Sequence, residues 1–265
     1  MNRKPMTSRF WLLLPVLVIS ACVELTPTPQ EVEPVDVIRW DRSPETIVFR
    51  GEITGGNTPT ILTMNEVPRC TIYGDNRVVW VNELGAFQTE VLYDMVSDEA
   101  IADFVNYLTV EERVYTYAAR ADLQVPQNIP PVVERVTLNV NDEPYIADAF
   151  SGWDVEWFNR VITRCKEISS APILFDPQTA WIRSEAVDAP SANIIMWNAE
   201  ASGLSLAELA NSQELRWIEG DNVRILWNFL HTLPPSLVFG EGDRYFRVGM
   251  QIPQISANTP PAPTE

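Results

Sequence analysis

The stretch CTIYGDNRVVW, residues 70–80, decides the fold that we predict for this chain. Strand-forming residues flank a Gly-Asp-Asn turn on both sides, which is typical of a β-hairpin with Asp75 and Asn76 at its tip. The same tripeptide recurs at residues 220–222, where apolar residues at helical spacing follow it. In that second copy we therefore predict a helix with Asp221 as its N-cap.

Side chains alternate between the two faces of a hairpin, and the turn fixes which residues share a face. A two-residue turn predicts Cys70 on one face, across from Val81, with Tyr73 and Trp80 on the other. That other face either packs under another part of the protein or meets a ligand. Both interpretations stay open here, and Tyr73 and Trp80 form the candidate ligand face.

Elements on the C-terminal side of this hairpin follow from periodicity and turn residues. Ser97 is predicted to cap a helix with an apolar stripe that includes Phe104 and Leu108, and a second helix is expected from about Trp153 to Ile168. Further predictions are strands at residues 113–120 and 179–187, hairpins at 133–150 and 236–252, and a short helix at 205–210.

This order predicts an α+β fold, in which antiparallel sheet units have helices packed on one face and the chain forms two small domains. The predicted domains are residues 45–170 and a smaller unit at residues 171–255. Residues 256–265, SANTPPAPTE, combine proline with small polar residues, so we predict a disordered tail there.

The TIYGDN turn at residues 71–76, together with the elements that follow it, resembles uncharacterised domains of bacterial envelope proteins. In those domains a TIYGDG hairpin opens the unit. The resemblance covers roughly residues 68–168 and rests on a turn motif. It implies an envelope protein and no particular activity.

Two cysteines of the predicted body can be placed relative to each other. Cys70 lies on a strand face, and Cys165 lies on the apolar stripe of a helix that must cover such a face. A disulfide between Cys70 and Cys165 is therefore sterically plausible, and an exported protein would hold it in an oxidising compartment. The alternative is a pair of separate buried thiols. The sequence has no C-x-x-C motif of a redox pair.

The N-terminus carries the three parts of an export signal, predicted at residues 1–21. Basic residues precede a ten-residue apolar run, which is too short to span a bilayer, since spanning takes roughly 20 residues. ISAC, residues 19–22, then resembles the lipobox of bacterial lipoproteins. The resemblance implies that Cys22 receives a diacylglycerol and, after cleavage, an acylated amino terminus. An ordinary secretory signal with a chance cysteine is the alternative.

Residues 22–44 are rich in proline and lack periodicity, so we predict a tether that reaches up to about 60–70 Å from the membrane. The full chain has a formal net charge of −17, and removal of the signal takes away three basic residues. Such a surface repels nucleic acid and anionic headgroups. We therefore expect no nucleic-acid partner, and membrane attachment through the lipid anchor alone.

Candidate catalytic groups are few. His231 is the only histidine, so a histidine-rich metal site is excluded, and no metal or other cofactor is expected. We interpret His231 as a residue near the end of its helix, and Ser205 of GLSLA as a helix cap. Acidic pairs occur at Asp98–Glu99, Asp142–Glu143 and Glu241–Asp243, and the pattern predicts that they lie at a cap and two turns.

These observations predict a lipid-anchored, exported protein of the cell envelope, with a binding or structural role. Its location would be the outward face of the cell membrane, or the outer membrane in an organism with two membranes. An envelope protein or a glycan is the expected partner. The alternative function is a glycosidase-like envelope hydrolase that uses a pair of carboxylates as acid and base.

Overall fold

The computed structural model describes residues 38–119, 131–190, 193–257 and 259–263. The predicted signal peptide, Cys22 and the tether up to residue 37 lie outside these residues. The strands described are β1 Ile47–Thr54, β2 Cys70–Tyr73, β3 Arg77–Glu83, β4 Thr89–Met95, β5 Val133–Val140, β6 Glu143–Asp148, β7 Ile173–Leu174, β8 Thr179–Val187, β9 Ile194–Met196, β10 Arg216–Glu219, β11 Val238–Glu241 and β12 Arg244–Gln251. The α-helices described are α1 Thr60–Thr63, α2 Asp98–Asn106, α3 Trp157–Glu167, α4 Ala199–Ser202, α5 Leu206–Ser212 and α6 Asp221–Thr232.

Two sheets organise the described part of the chain. The first has seven strands in the order β6-β5-β1-β2-β3-β4-β7, with antiparallel pairing throughout. The second has five strands in the order β10-β8-β12-β11-β9, and its one parallel pair is β11 with β9. The predicted α+β class is confirmed.

Each face of the first sheet contributes to a different apolar core. The first core lies under α2 and α3, where Phe104 and Phe158 pack onto Ile72 and Leu138 of the sheet. These helices carry the apolar stripes that periodicity predicted, and the buried stripe of α3 ends at Cys165.

The second core joins the opposite face of the first sheet to the inner face of the second. Val79 and Val91 contribute from the first sheet, whereas Ile182 and Phe246 come from the second, with Leu226 of α6 among them. Residues Ile38–Glu265 accordingly form one compact unit. Ile173 and Leu174, which the sequence assigned to a second domain, form β7, and β7 pairs with β4 of the first sheet.

The β2–β3 hairpin forms as predicted, but its predicted register is wrong by one residue. Its loop has three residues, 74–76, and Asn76 adopts a left-handed φ of 71° while its N–H donates to the Tyr73 carbonyl at 3.1 Å. Cys70 therefore pairs with Trp80. A shift of one residue moves a strand's side chains to the opposite face, so Cys70 and Trp80 share a face and Tyr73 lies on the other.

The predicted strand at residues 113–120 is wrong for the residues described there. Arg113 adopts a left-handed φ of 52°, and Val114–Thr116 form a 3-10 turn. In this segment Tyr117 packs against α3 instead, with its ring centroid 5.2 Å from that of Trp157.

Helix starts agree with the sequence to different degrees. Ser97 caps α2 as predicted, because its hydroxyl accepts a hydrogen bond from the Ala100 N–H at 3.2 Å. By contrast, α3 begins at Trp157, four residues later than expected, after a turn in which Asp154 accepts from the N–H groups of Glu156 and Trp157. α6 has Gly220 as its N-cap, so Asp221 is its first residue and makes no capping bond.

The remaining elements are confirmed. The hairpins at 133–150 and 236–252 form as β5–β6 and β11–β12, the strand at 179–187 is β8, and the short helix near 205–210 is α5. Ser256, where we predicted a disordered tail to begin, is buried, and its hydroxyl accepts from the Ile252 N–H at 3.0 Å.

Candidate functional site

Cys70 and Cys165 form a disulfide, as predicted. Their Cα atoms are 6.4 Å apart, and both residues are fully buried in the first core. The bond links β2 to the inner stripe of α3, and Lys166 on the same helix donates to the Val81 carbonyl at 2.6 Å. The pair is enclosed by apolar neighbours, which is typical of a structural disulfide and not of a reactive one.

The two residues of the candidate ligand face are not brought together. Trp80 lies in the first core beside the disulfide, and Tyr73 lies in the second core on the opposite face of the sheet. Their exposed fractions are 4% and 2%. Burial raises the pKa of the Tyr73 hydroxyl, against the opposing effect of Arg50 and Arg77. Neither side chain presents a surface to a ligand.

The acidic pairs lie at caps and turns. Asp98 receives a bidentate ion pair from Arg42, at 2.6 and 2.8 Å, and these hydrogen bonds lower the pKa of its carboxyl group. Asp142 has a left-handed φ of 61° in the exposed β5–β6 turn. Glu241 accepts from the Ser205 hydroxyl at 2.7 Å and from the Leu206 N–H at 2.6 Å, so it caps α5.

His231 lies near the end of α6 as expected, and its ring is partly buried. Its Nδ1 shares a hydrogen bond with the Thr89 hydroxyl at 2.9 Å, and its ring centroid is 3.9 Å from that of Trp227. Nε2 is buried and has no partner among the described residues. Burial lowers the pKa of the imidazole from 6.5 to about 4. The ring is therefore neutral near pH 7 and cannot act as a cation at the helix end.

A charge network that the sequence did not indicate lies beside a shallow groove of about 380 Å³ on the outer side of α3. Arg160 donates to Glu112 at 3.2 Å and to Asp154 at 3.0 Å, and the Tyr107 hydroxyl donates to Glu112 at 2.7 Å. Burial and the neighbouring Glu112 raise the pKa of Tyr107. Because each charge has a partner, the network is suited to fixing the helix and not to proton transfer.

The described residues contain no group of three or more His, Cys, Asp or Glu side chains placed to hold a metal ion. No helix among them is long and apolar enough to cross a membrane.

A tryptophan pair on the second sheet is partly accessible to solvent. Trp181 of β8 and Trp217 of β10 are register partners, with ring centroids 5.3 Å apart in an edge-on arrangement. Ala180 and Ile182 point into the second core, so the alternating Trp181 points outward. Both indoles are half-buried.

The two indole N–H groups have different partners. Trp217 donates to Glu219 on its own strand at 2.8 Å, whereas Trp181 donates to the Pro261 carbonyl at 3.0 Å. The sequence contained one signal for this surface, because Trp181 shares its predicted strand face with Arg183 and Glu185. The pairing with Trp217 had no local signal, since β10 was not predicted.

No family model, no curated protein and no solved structure matches the chain.

Proposed function

We propose that the protein is a lipid-anchored, exported component of the cell envelope that acts by binding a partner. The observation that carries the proposal is the buried Cys70–Cys165 disulfide. Disulfides persist in oxidising compartments outside the cytosol, and the bond therefore supports export. It gives independent support to the signal and lipobox pattern at residues 1–22.

The lipobox supplies the anchor in this proposal. Diacylglycerol on Cys22, with an acylated amino terminus, would give two or three chains, and more than one chain is needed for stable attachment. The acidic chain has a formal net charge of −17 and would be repelled by anionic headgroups. Lipid, and not surface charge, would then hold the protein at the membrane.

A binding role is favoured over hydrolysis by how the carboxylates are used. Asp98 pairs with Arg42, and Glu241 caps α5. The half-buried Trp181–Trp217 pair is instead an aromatic surface of the kind that binds ligands through ring contacts and a polar edge. The partner would be an envelope protein or a glycan.

The anchor is tested by changing Cys22 to Ser in the producing cell. We expect the wild-type protein in the membrane fraction with an acylated N-terminal Cys22, and the variant as unprocessed precursor without lipid. Mass spectrometry of the mature N-terminus provides the measurement. A Leu25→Ser variant is the matched control, because it introduces the same residue just outside the lipobox. An unmodified mature Cys22 in the wild type would refute the anchor.

A further inference from the structure

We propose that the Trp181–Trp217 surface recognises proline-rich peptide segments, and that the protein's own segment Thr259–Pro263 occupies it until a partner segment replaces it. The proposal deepens the proposed binding function by naming the chemical class of the ligand. The inference depends on the proposed binding role, and it does not depend on the lipid anchor.

The chemistry of proline explains why this surface suits such a segment. Proline has no N–H, so a proline-rich chain offers its carbonyl oxygens and must find its donors on the receptor. The indole N–H is a donor with no acceptor role, and extended proline-rich chains dock onto aromatic surfaces. The bond from Trp181 to the Pro261 carbonyl at 3.0 Å is an example of that contact within the molecule itself.

Of the two indole N–H groups of the pair, the one of Trp181 is directed at the ligand. Trp217 gives its N–H to Glu219, and its ring meets that of Trp181 at an interplanar angle of 66°. Both residues sit on paired strands, with Trp217 directly opposite Trp181. The rigid sheet thus fixes the Trp181 ring, and its N–H points at the position where the Pro261 carbonyl lies.

The chain leading to the tail is tied to the body. Ile255 is buried in the second core, Gln251 donates to the Ala257 carbonyl at 3.3 Å, and the Thr259 hydroxyl donates to the Ser256 carbonyl at 3.0 Å. Residues 261–263 are exposed. A tether this short keeps the tail at a high local concentration, while its exposed prolines leave it replaceable.

The test uses a fluorescently labelled synthetic peptide with the sequence ANTPPAPT, identical to residues 257–264. Its binding is measured by anisotropy against the purified full chain and against a full-length variant with Pro260, Pro261 and Pro263 changed to Gly. The glycines remove the stiff, extended conformation of the tail and should open the surface. We expect the opened variant to bind the peptide about tenfold more tightly than the wild type, because tail and peptide compete.

Two matched substitutions in the opened variant separate the hydrogen bond from the ring. Trp181→Phe keeps an aromatic ring but removes the N–H to the ligand, so binding should weaken about fivefold, the value of one hydrogen bond. Trp217→Phe removes an N–H that serves Glu219, so peptide binding should change by less than about twofold. Melting temperatures of all variants show whether the fold is intact.

Three results of the peptide experiment would overturn the proposal. The first is that the peptide shows no saturable binding to a folded, opened variant. The second is that a peptide with alanine in place of its prolines binds as tightly as the original, and the third is that Trp181→Phe binds the peptide as tightly as the opened variant does. Trp181-dependent binding of an N-acetylglucosamine oligosaccharide without peptide binding would also overturn it, in favour of a glycan site. None of these outcomes affects the lipid anchor, which the mass of Cys22 tests separately.

Discussion

Cys70 and Trp80 are paired across the β2–β3 hairpin, so a disulfide sulfur and a buried indole lie on the same face of the first sheet. The partner cysteine, Cys165, reaches this face from α3. The covalent link and a large aromatic side chain thus fill neighbouring positions in one core. The stability of that core should depend on both, and changes at the two positions should not be additive.

Removal of the disulfide should destabilise the protein strongly. Its cysteines are 95 residues apart, and for a loop of this length the chain-entropy model gives about 4–5 kcal/mol of unfolding free energy. Urea denaturation of the variant with both Cys70 and Cys165 changed to Ala measures the loss. Thiol titration of denatured, non-reduced protein should find neither residue reactive, and two titratable thiols from this pair would contradict the bond.

Trp80→Ala should lower the unfolding free energy by about 3 kcal/mol or more, because it leaves a cavity in a packed core. The indole is 4% exposed in the wild type. Trp181→Ala is a suitable control, since that ring is half-buried on the outer surface of a sheet and should cost less. Equal losses at the two positions, measured in urea, would argue against the burial of Trp80.

Glu241→Ala should destabilise the protein by about 1–3 kcal/mol, because it leaves helix N–H groups of α5 without their acceptor. The carboxylate accepts from the N–H groups of Leu206 and Ala207. Asp243→Ala, in the exposed turn two residues later, is the control and should change stability little. Thermal unfolding compares the two variants. An unchanged melting temperature for Glu241→Ala would show that this carboxylate does not stabilise α5 as a cap.

His231 should make the protein lose stability in acid. Its pKa is about 4 in the folded protein against 6.5 when unfolded, so the unfolded chain takes up the proton first as the pH falls. The contribution of the neutral ring is complete above pH 6.5 and declines from there to pH 4, by about 3 kcal/mol at most.

The measurement for His231 is urea denaturation between pH 7.5 and 4, with His231→Gln as the control that cannot titrate. Carboxylates also destabilise proteins in acid, and both proteins share that effect. The wild type should therefore lose more stability than the variant across this window. Parallel curves of unfolding free energy against pH for the two proteins would show that the imidazole has the same pKa in the folded and the unfolded chain.

Local signals accounted for the elements that the sequence predicted correctly. Asn141 and Asp142 both adopt the positive φ of a tight turn, and these residue types tolerate it, so the β5–β6 hairpin was visible in the sequence. The stripe of α3 identified Cys165 as buried, and thereby the disulfide. In such cases one short segment carries the information.

The errors came from contacts between distant segments and from loop geometry. Whether the turn after Tyr73 has two or three residues is decided by the conformation of Asn76, which residue types alone do not fix. That single difference put Trp80 on the face of Cys70 and separated it from Tyr73. The surface around Trp181 depends on Trp217, 36 positions along the chain, and on a tail that composition marked as disordered.

The position of β12 has a consequence for how the chain folds. It is the last of the strands among the described residues, Arg244–Gln251, yet it lies inside the second sheet between β8 and β11. Until these residues are available, β8 and β11 have no shared neighbour, and buried residues such as Ile182 and Phe239 stay open to water. Chains truncated before residue 244 should therefore be degraded and not accumulate as stable fragments.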